Sequence, residues 1–500
     1  MENNETKLTI PEIVSSATVT QQIEIDYVLP DYKPEIMRII RCSASHYVSN
    51  KTLSPEKLTV DIVVVHTIIY QSYDMSVNTV KIENSYVKGV DITDCGAPDE
   101  AQIRLTTDYC SCKATGKRRV GIRTNIGIGY AIYAASDYNP FFIEDGIETK
   151  SESVSATILK AVCEKTVSFK EKLEEDISEF NIIDSPARVR IADHRVVSGK
   201  VIVKGDLEIT IMTINEDLAV LAKPISIPFG QIFDLNGAEE TDRCEISADC
   251  RLINFYGDGE EGERGSIEAF ISFNCKVYGD FSAELPIDAY STQYECYTET
   301  KAFTFADYRR FGEKNVHIDF SLGKMNTEIS KVDYLYINPS VISSEEKENS
   351  VLINCLADAY IIGSDDSKTA VGISRKGEFN SALDLSGFND VGYNFSLLLE
   401  NYSYSLSLDG ELTVSAEFNL SFSVCKKVTI PYLSSFSLIE DKPKLKDGKA
   451  ALTVYYAEKG ESVFDIGKRY NISQEILREE NEINCEILSE KRRLIIPLKA

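Results

Sequence analysis

No tryptophan occurs in the 500 residues, histidine appears four times, and none of the 12 cysteines forms a C-x-x-C pair. His46, His66, His194 and His317 show no spacing that would bring two rings to one metal. Cys110 and Cys112 are the closest thiols, and zinc there would need two further ligands. The expectation is therefore no metal, with free thiols buried or half-buried in a reducing compartment. GxxxxGK(S/T), HExxH, GxSxG and DxDxDG patterns are also missing. Nucleotide, zinc-protease and common hydrolase sites lose their support, so no enzyme, no catalytic residue and no cofactor is expected. No apolar run approaches the roughly 20 residues that span a bilayer. The start, MENNETKLTIPEIV, has no basic stretch leading into an apolar one. The chain is expected to be cytoplasmic, with no transmembrane segment. Positive charge is scarce as well: 53 Lys and Arg stand against 79 Asp and Glu, a net charge of −26. Long-range repulsion then argues against nucleic acid or an anionic membrane as partner. A basic protein surface or an uncharged glycan remains.

What is present is alternation. In KVIVKGDLEITIMTI, Val201, Val203, Leu207, Ile209 and Ile211 fall on one face. In ELTVSAEFNLSFSV, every second residue from Leu412 to Val424 is apolar. Such runs predict half-buried antiparallel strands, bent or bulged because they exceed usual strand length. The order of segments also recurs. KLTVDIVVVHTIIY near residue 57, KVIVKGDLEITIMTI near 200 and SVLINCLADAYIIG near 350 each precede a mixed segment (SYVKGVDI, IPFGQIFDL, GEFNSALDL). A two-stranded ending around a glycine turn follows each: near Gly116, in GDGEEGERG at 257–265, and at Gly410. The acidic glycine-rich segment reads as an exposed turn rather than a calcium loop. Three tandem copies of one β unit result. Polar stretches at 139–153, 290–302 and 434–450 read as connectors.

YVLPDYKPEIMRIIRCSA (27–44) places Pro30 and Pro34 before Ile36, Ile39 and Ile40, whose spacing predicts one short amphipathic helical piece. With the β unit around it, this stretch resembles the SPOCS domain (domain of unknown function 3794), which occurs in tandem in SipL- and SpoVID-type spore coat assembly proteins. FNIIDSPARVRIADHRVVSGKVIVKG (180–205) is a fainter version, and the third copy is fainter still.

The end of the chain is of another kind. YYAEKGESVFDIGKRYNISQEILREENEI followed by LSEKRRLIIPL resembles a LysM module, a small βααβ fold. Tyr455–Ala457 would be its first strand and Gly460 the turn. Ser462 with Asp465 would cap a first helix burying Val463, Ile466 and Tyr470, and Ser473 a second burying Ile476 and Leu477. Leu494 and Ile496 before Pro497 would close the sheet.

The expected organisation is mainly β: three antiparallel sandwich or open-barrel-like units at 1–140, 165–290 and 301–430, a linker at 431–452 and the LysM module at 453–500. By match, the ligand- or partner-binding groove would be Gly460, Glu461, Ser462, Val463 and Phe464 facing Asn481, Glu482, Ile483 and Asn484. Glu480 and Lys491 depart from the usual LysM residues, and the charged Lys491, Arg492 and Arg493 suit a protein contact. The resemblance implies a non-enzymatic coat scaffold in the mother-cell cytoplasm, recruited to the forespore surface. Its LysM module would dock the basement-layer coat ATPase. The alternative is a binder of peptidoglycan or its precursor.

Overall fold

A computed structural model describes residues 8–92, 98–140, 147–173, 182–214, 220–256, 265–325, 329–348, 350–364, 370–384, 391–444 and 452–497. Its strands fall into three groups of one design. The first holds β1 (Leu8–Val28), β2 (Ile36–Leu53), β3 (Lys57–Ser72), β4 (Val77–Asp91), β5 (Pro98–Gly116) and β6 (Arg119–Tyr138). They form two antiparallel sheets, ordered β1-β6-β5 and β2-β3-β4. The second holds β7 (Ile147–Lys172), β8 (Ile182–Asp184), β9 (Ala187–Val197), β10 (Lys200–Ile214), β11 (Val220–Asp234), β12 (Arg243–Tyr256) and β13 (Ser266–Ser291). The third runs β14 (Tyr294–Lys324), β15 (Lys331–Lys347), β16 (Ser350–Ser364), β17 (Ala370–Asp384), β18 (Val391–Leu406) and β19 (Glu411–Pro443). In each group the first, fifth and sixth long strands make one sheet, and a three-strand meander makes most of the other; β8 adds a short edge to the second meander. Among the described residues the sheets stay open, with no closed barrel.

Register shows the kinship better than residue identity does. Lys57 lies opposite Asp91, Lys200 opposite Asp234, and Ser350 opposite Asp384. The alternation read from the sequence is realised: Val201, Val203, Leu207, Ile209 and Ile211 are buried, and so is each apolar residue of Leu412–Val424. One face of these strands meets the core of its own unit, which is what period two requires.

β3 breaks that pattern for a physical reason. Ile62 and Val64 face the core of their own unit, while Val63 and Val65 pack against Leu252 of the second unit. Both faces are covered, so the strand reads as a nearly continuous apolar run. A three-way cluster ties the units together. Ile69, Met212 and Ile362, which occupy the same place in β3, β10 and β16, are 1%, 0% and 2% exposed within it. A second shared cluster joins Ile10, Leu285, Phe303 and Tyr432. The units therefore form one body, held by apolar surface that no single copy can bury alone.

Two sequence expectations change. Ile36, Ile39 and Ile40 lie on β2, not on a helix. Register shifts between Ile36 and Arg38 and between Ile39 and Arg41 each add a residue and reset the alternation. Three-residue spacing on a bulged strand thus imitates a helix. The polar connectors are also largely strand. Ile147 pairs with Ser291, and Tyr294 pairs with Pro443, so most of 431–443 is a ribbon edge rather than a linker. The acidic turn at 257–264 lies outside the described residues, although Tyr256 and Ser266 pair on either side of it.

Candidate functional site

The last segment builds its own core. β20 (Leu452–Ala457) and β21 (Arg492–Pro497) form a two-stranded antiparallel sheet, with helices α1 (Val463–Tyr470) and α2 (Gln474–Asn481) between them in sequence. Val463, Ile466, Leu477, Leu494 and Ile496 are fully buried against one another. Each helix start is set by a serine. The Ser462 hydroxyl accepts from the Asp465 N–H at 3.0 Å, and that of Ser473 accepts from the Ile476 N–H at 3.3 Å. Each helix ends in a left-handed residue, Asn471 at φ 55° and Glu482 at φ 52°. Gly460, at φ 94°, makes the turn after β20.

Two loops close on each other through the main chain. The Gly460 N–H donates to the Leu488 carbonyl at 2.8 Å, the Leu488 N–H to the Glu461 carbonyl at 2.9 Å, and the Val463 N–H to the Glu486 carbonyl at 2.9 Å. Glu461 is clamped beside them. Its carboxylate accepts from the Tyr455 hydroxyl at 2.7 Å and from the Glu458 N–H at 2.9 Å. The Tyr455 bond in particular holds its carboxyl below the usual range. On the outer face of the sheet, Leu452, Val454, Tyr456 and Ile495 are exposed.

The helix side is not open, because it rests on the end of the second β unit. The Phe464 ring meets Tyr290 edge to face, centroids 5.1 Å apart, and the Tyr290 hydroxyl donates to the Ile472 carbonyl at 2.7 Å. Lys468 pairs with Asp288 at 2.6 Å, and the Gln474 amide donates to Glu148 at 3.0 Å. Lys444 reaches the Asn471 side chain at 2.6 Å and the Ser291 carbonyl at 3.0 Å. Gly467 is required here, since a Cβ would collide with the Tyr290 hydroxyl.

Residues 455–497 match the LysM domain. Residues 180–256, within the second unit, match the SPOCS domain of SipL. The chain therefore has a SipL-like combination of domains, and both are binding or scaffold domains rather than enzymatic families. No curated protein and no solved structure matches the chain. Among the described residues no helix is long and apolar enough to cross a membrane.

Within the LysM domain, the residues expected to form one groove divide. Gly460, Glu461, Ser462 and Val463 face Glu486–Leu488 rather than Asn481–Asn484. Asn481 is buried, donating to the Leu477 and Ile495 carbonyls at 3.0 and 2.7 Å and accepting from the Ile495 N–H at 2.6 Å. It staples α2 to β21. Ile483 is in the core, while Glu482 and Asn484 are exposed. The left-handed turn at Glu482 sends the chain away, and only four residues later does it meet the first loop. Phe464 belongs to the contact with Tyr290. Of the three basic residues, Lys491 pairs with Glu458 at 2.6 Å, and Arg492 donates to the Asn481 carbonyl at 2.6 Å. Arg493 is exposed opposite Tyr456.

Sequence reading missed Tyr290, Asp288 and Glu148 as partners of the LysM domain. Glu148 and Tyr290 fall in stretches read as connectors, where no pattern pointed to a contact. A second recess, a hollow of about 2550 Å³, opens among the three β units. Cations and carboxylates there largely satisfy one another: Arg41 with Asp184, and Arg188 with Glu208 at 2.7 Å. His46 on its wall is driven down to about 4, chiefly by burial.

Proposed function

We propose that the chain is a non-enzymatic scaffold for spore coat assembly, with the LysM domain as its docking element. One observation carries this reading: the LysM domain is seated on the same β unit that carries the SipL SPOCS match. Seated so, the domain is held at a fixed place on a rigid body, as an adaptor that must present a partner to a scaffold requires. By resemblance to SipL, the partner is the basement-layer coat ATPase, and the place is the forespore surface reached from the mother-cell cytoplasm. A fluorescent fusion imaged through sporulation tests the assignment. A ring around the forespore is expected; a diffuse signal throughout would remove the coat role.

A second reading is supported by the LysM match, namely binding of peptidoglycan or another N-acetylglucosamine glycan. Gly460 and the exposed Glu482 and Asn484 are the groove residues still open to it, whereas Phe464 is taken up by Tyr290. Co-sedimentation of the full chain with purified peptidoglycan at low salt separates the readings. The scaffold reading expects little pelleting, and saturable pelleting would favour the glycan.

A further inference from the structure

Three of the 12 cysteines converge at one place that neither matched domain explains. Cys42 stands on β2, and Cys110 and Cys112 stand on β5. These are edge strands of different sheets, and no ladder of hydrogen bonds joins them. The Cys42 and Cys110 sulfurs nevertheless lie 3.7 Å apart across the seam, and Cys112 also bears on Cys42. The corresponding seams, β9 beside β12 and β15 beside β18, have no thiol on both sides. Cys163 and Cys275 also lie opposite each other, but on strands already paired by the main chain, where a covalent link would join nothing new.

We propose that Cys42 and Cys110 are a disulfide site, closed by a low-molecular-weight disulfide into a covalent staple across the open seam of the first unit. Both residues line the central hollow, which gives a small reagent access. The Cys42 thiolate attacks one sulfur of the reagent, expelling one thiolate and leaving a mixed disulfide. The Cys110 thiolate then attacks the Cys42 sulfur and expels the second. The two protons from the cysteines go to the released thiolates. Two electrons pass from the cysteine pair to the reagent, which ends as two thiols.

The surroundings make this exchange slow at neutral pH. The hydrogen bond with Cys110 pulls the Cys42 thiol down, but Cys112 and burial outweigh it and push it up to about 12. Cys110 is pushed up too, by its bond to Cys42 and by burial. Once formed, the bond closes a loop between positions 68 residues apart and restricts the unfolded chain. Cys112, two residues along β5 from Cys110, is the alternative partner if Cys110 is removed.

The test is oxidation of the folded full-length chain with oxidised glutathione at pH 8.5, followed by non-reducing peptide mapping. The expected product links Cys42 to Cys110, and the thermal midpoint rises by roughly 5 °C. Cys110→Ser should redirect the link to Cys112, and Cys42→Ser should abolish both products. Exposed Cys485 reports that the reagent is active, because it should carry glutathione in every sample. If Cys485 is modified while Cys42 remains a free thiol or stops at the mixed disulfide, the proposal is overturned. Mapping on the unsubstituted chain decides this even where a variant fails to fold.

Discussion

The β body and the LysM domain bury apolar surface over different ranges of the chain. The LysM domain closes its core with residues from Ala457 to Ile496, all within one short segment. Each β unit also closes a core of its own, but the body adds contacts between copies, such as Ile69 with Met212 and Ile362, which are more than a hundred residues apart in the chain. A small module with local caps folds on local information. A tandem array adds to the cores of its members the surface buried where they meet. The contact between the two regions, Tyr290 on Phe464, is small by comparison and is the place where they should come apart first.

The largest effect is expected inside the body. Met212→Ala should remove about 3 kcal/mol through lost burial and the cavity left behind. Because the residue is shared, calorimetry should show one body transition moving as a whole. A shift confined to one of several separate transitions would break the comparison. Acid should discriminate next. His46 has a folded value near 4 against an ordinary 6.5, so below pH 6.5 the unfolded chain takes a proton that the folded one refuses. His46 takes up to roughly 3 kcal/mol from the body as pH drops from 6.5 to 4 and then levels off; His66, lowered by burial, adds to the loss, and Glu164 and Glu245, raised by burial, oppose it. The LysM domain contains no histidine and should show no such loss in this window; chemical denaturation at pH 7 and pH 4.5 measures both.

Tyr290→Ala comes next, costing about 3 kcal/mol at the joint through loss of a buried ring and one hydrogen bond. Amide exchange should quicken in Phe464–Ile472 at the joint while the core of either region keeps its protection. Unchanged exchange there would mean the joint is not what holds the LysM domain. Ser462→Ala is smaller, about 1 kcal/mol off LysM stability alone by loss of the cap. Glu482→Gly should add a few tenths to 1 kcal/mol, since glycine adopts the left-handed turn without a Cβ penalty.

How much was legible follows from the same contrast. Ser462, Ser473 and Leu477 were readable because caps and helical spacing act over three or four residues, and Leu494 and Ile496 because they alternate on one face of a short strand. The alternation of β10 and β19 was readable because each buries one face. Ile36, Ile39 and Ile40 misled because bulges turn a two-residue period into three, and no local residue announces them. That Gly460–Val463 face Glu486–Leu488 and not Asn481–Asn484 was hidden because the left-handed residue at Glu482 decides where the chain returns. Tyr290 was out of reach, since its partner Ile472 lies 182 positions away.

The proposed docking of a coat partner through the LysM domain has a direct biochemical test. Capture of purified basement-layer coat ATPase by the full chain, compared with a chain ending at Lys444, tests it most directly. Capture by the full chain and at least a tenfold loss without the LysM domain are expected. Equal capture by both chains would contradict it.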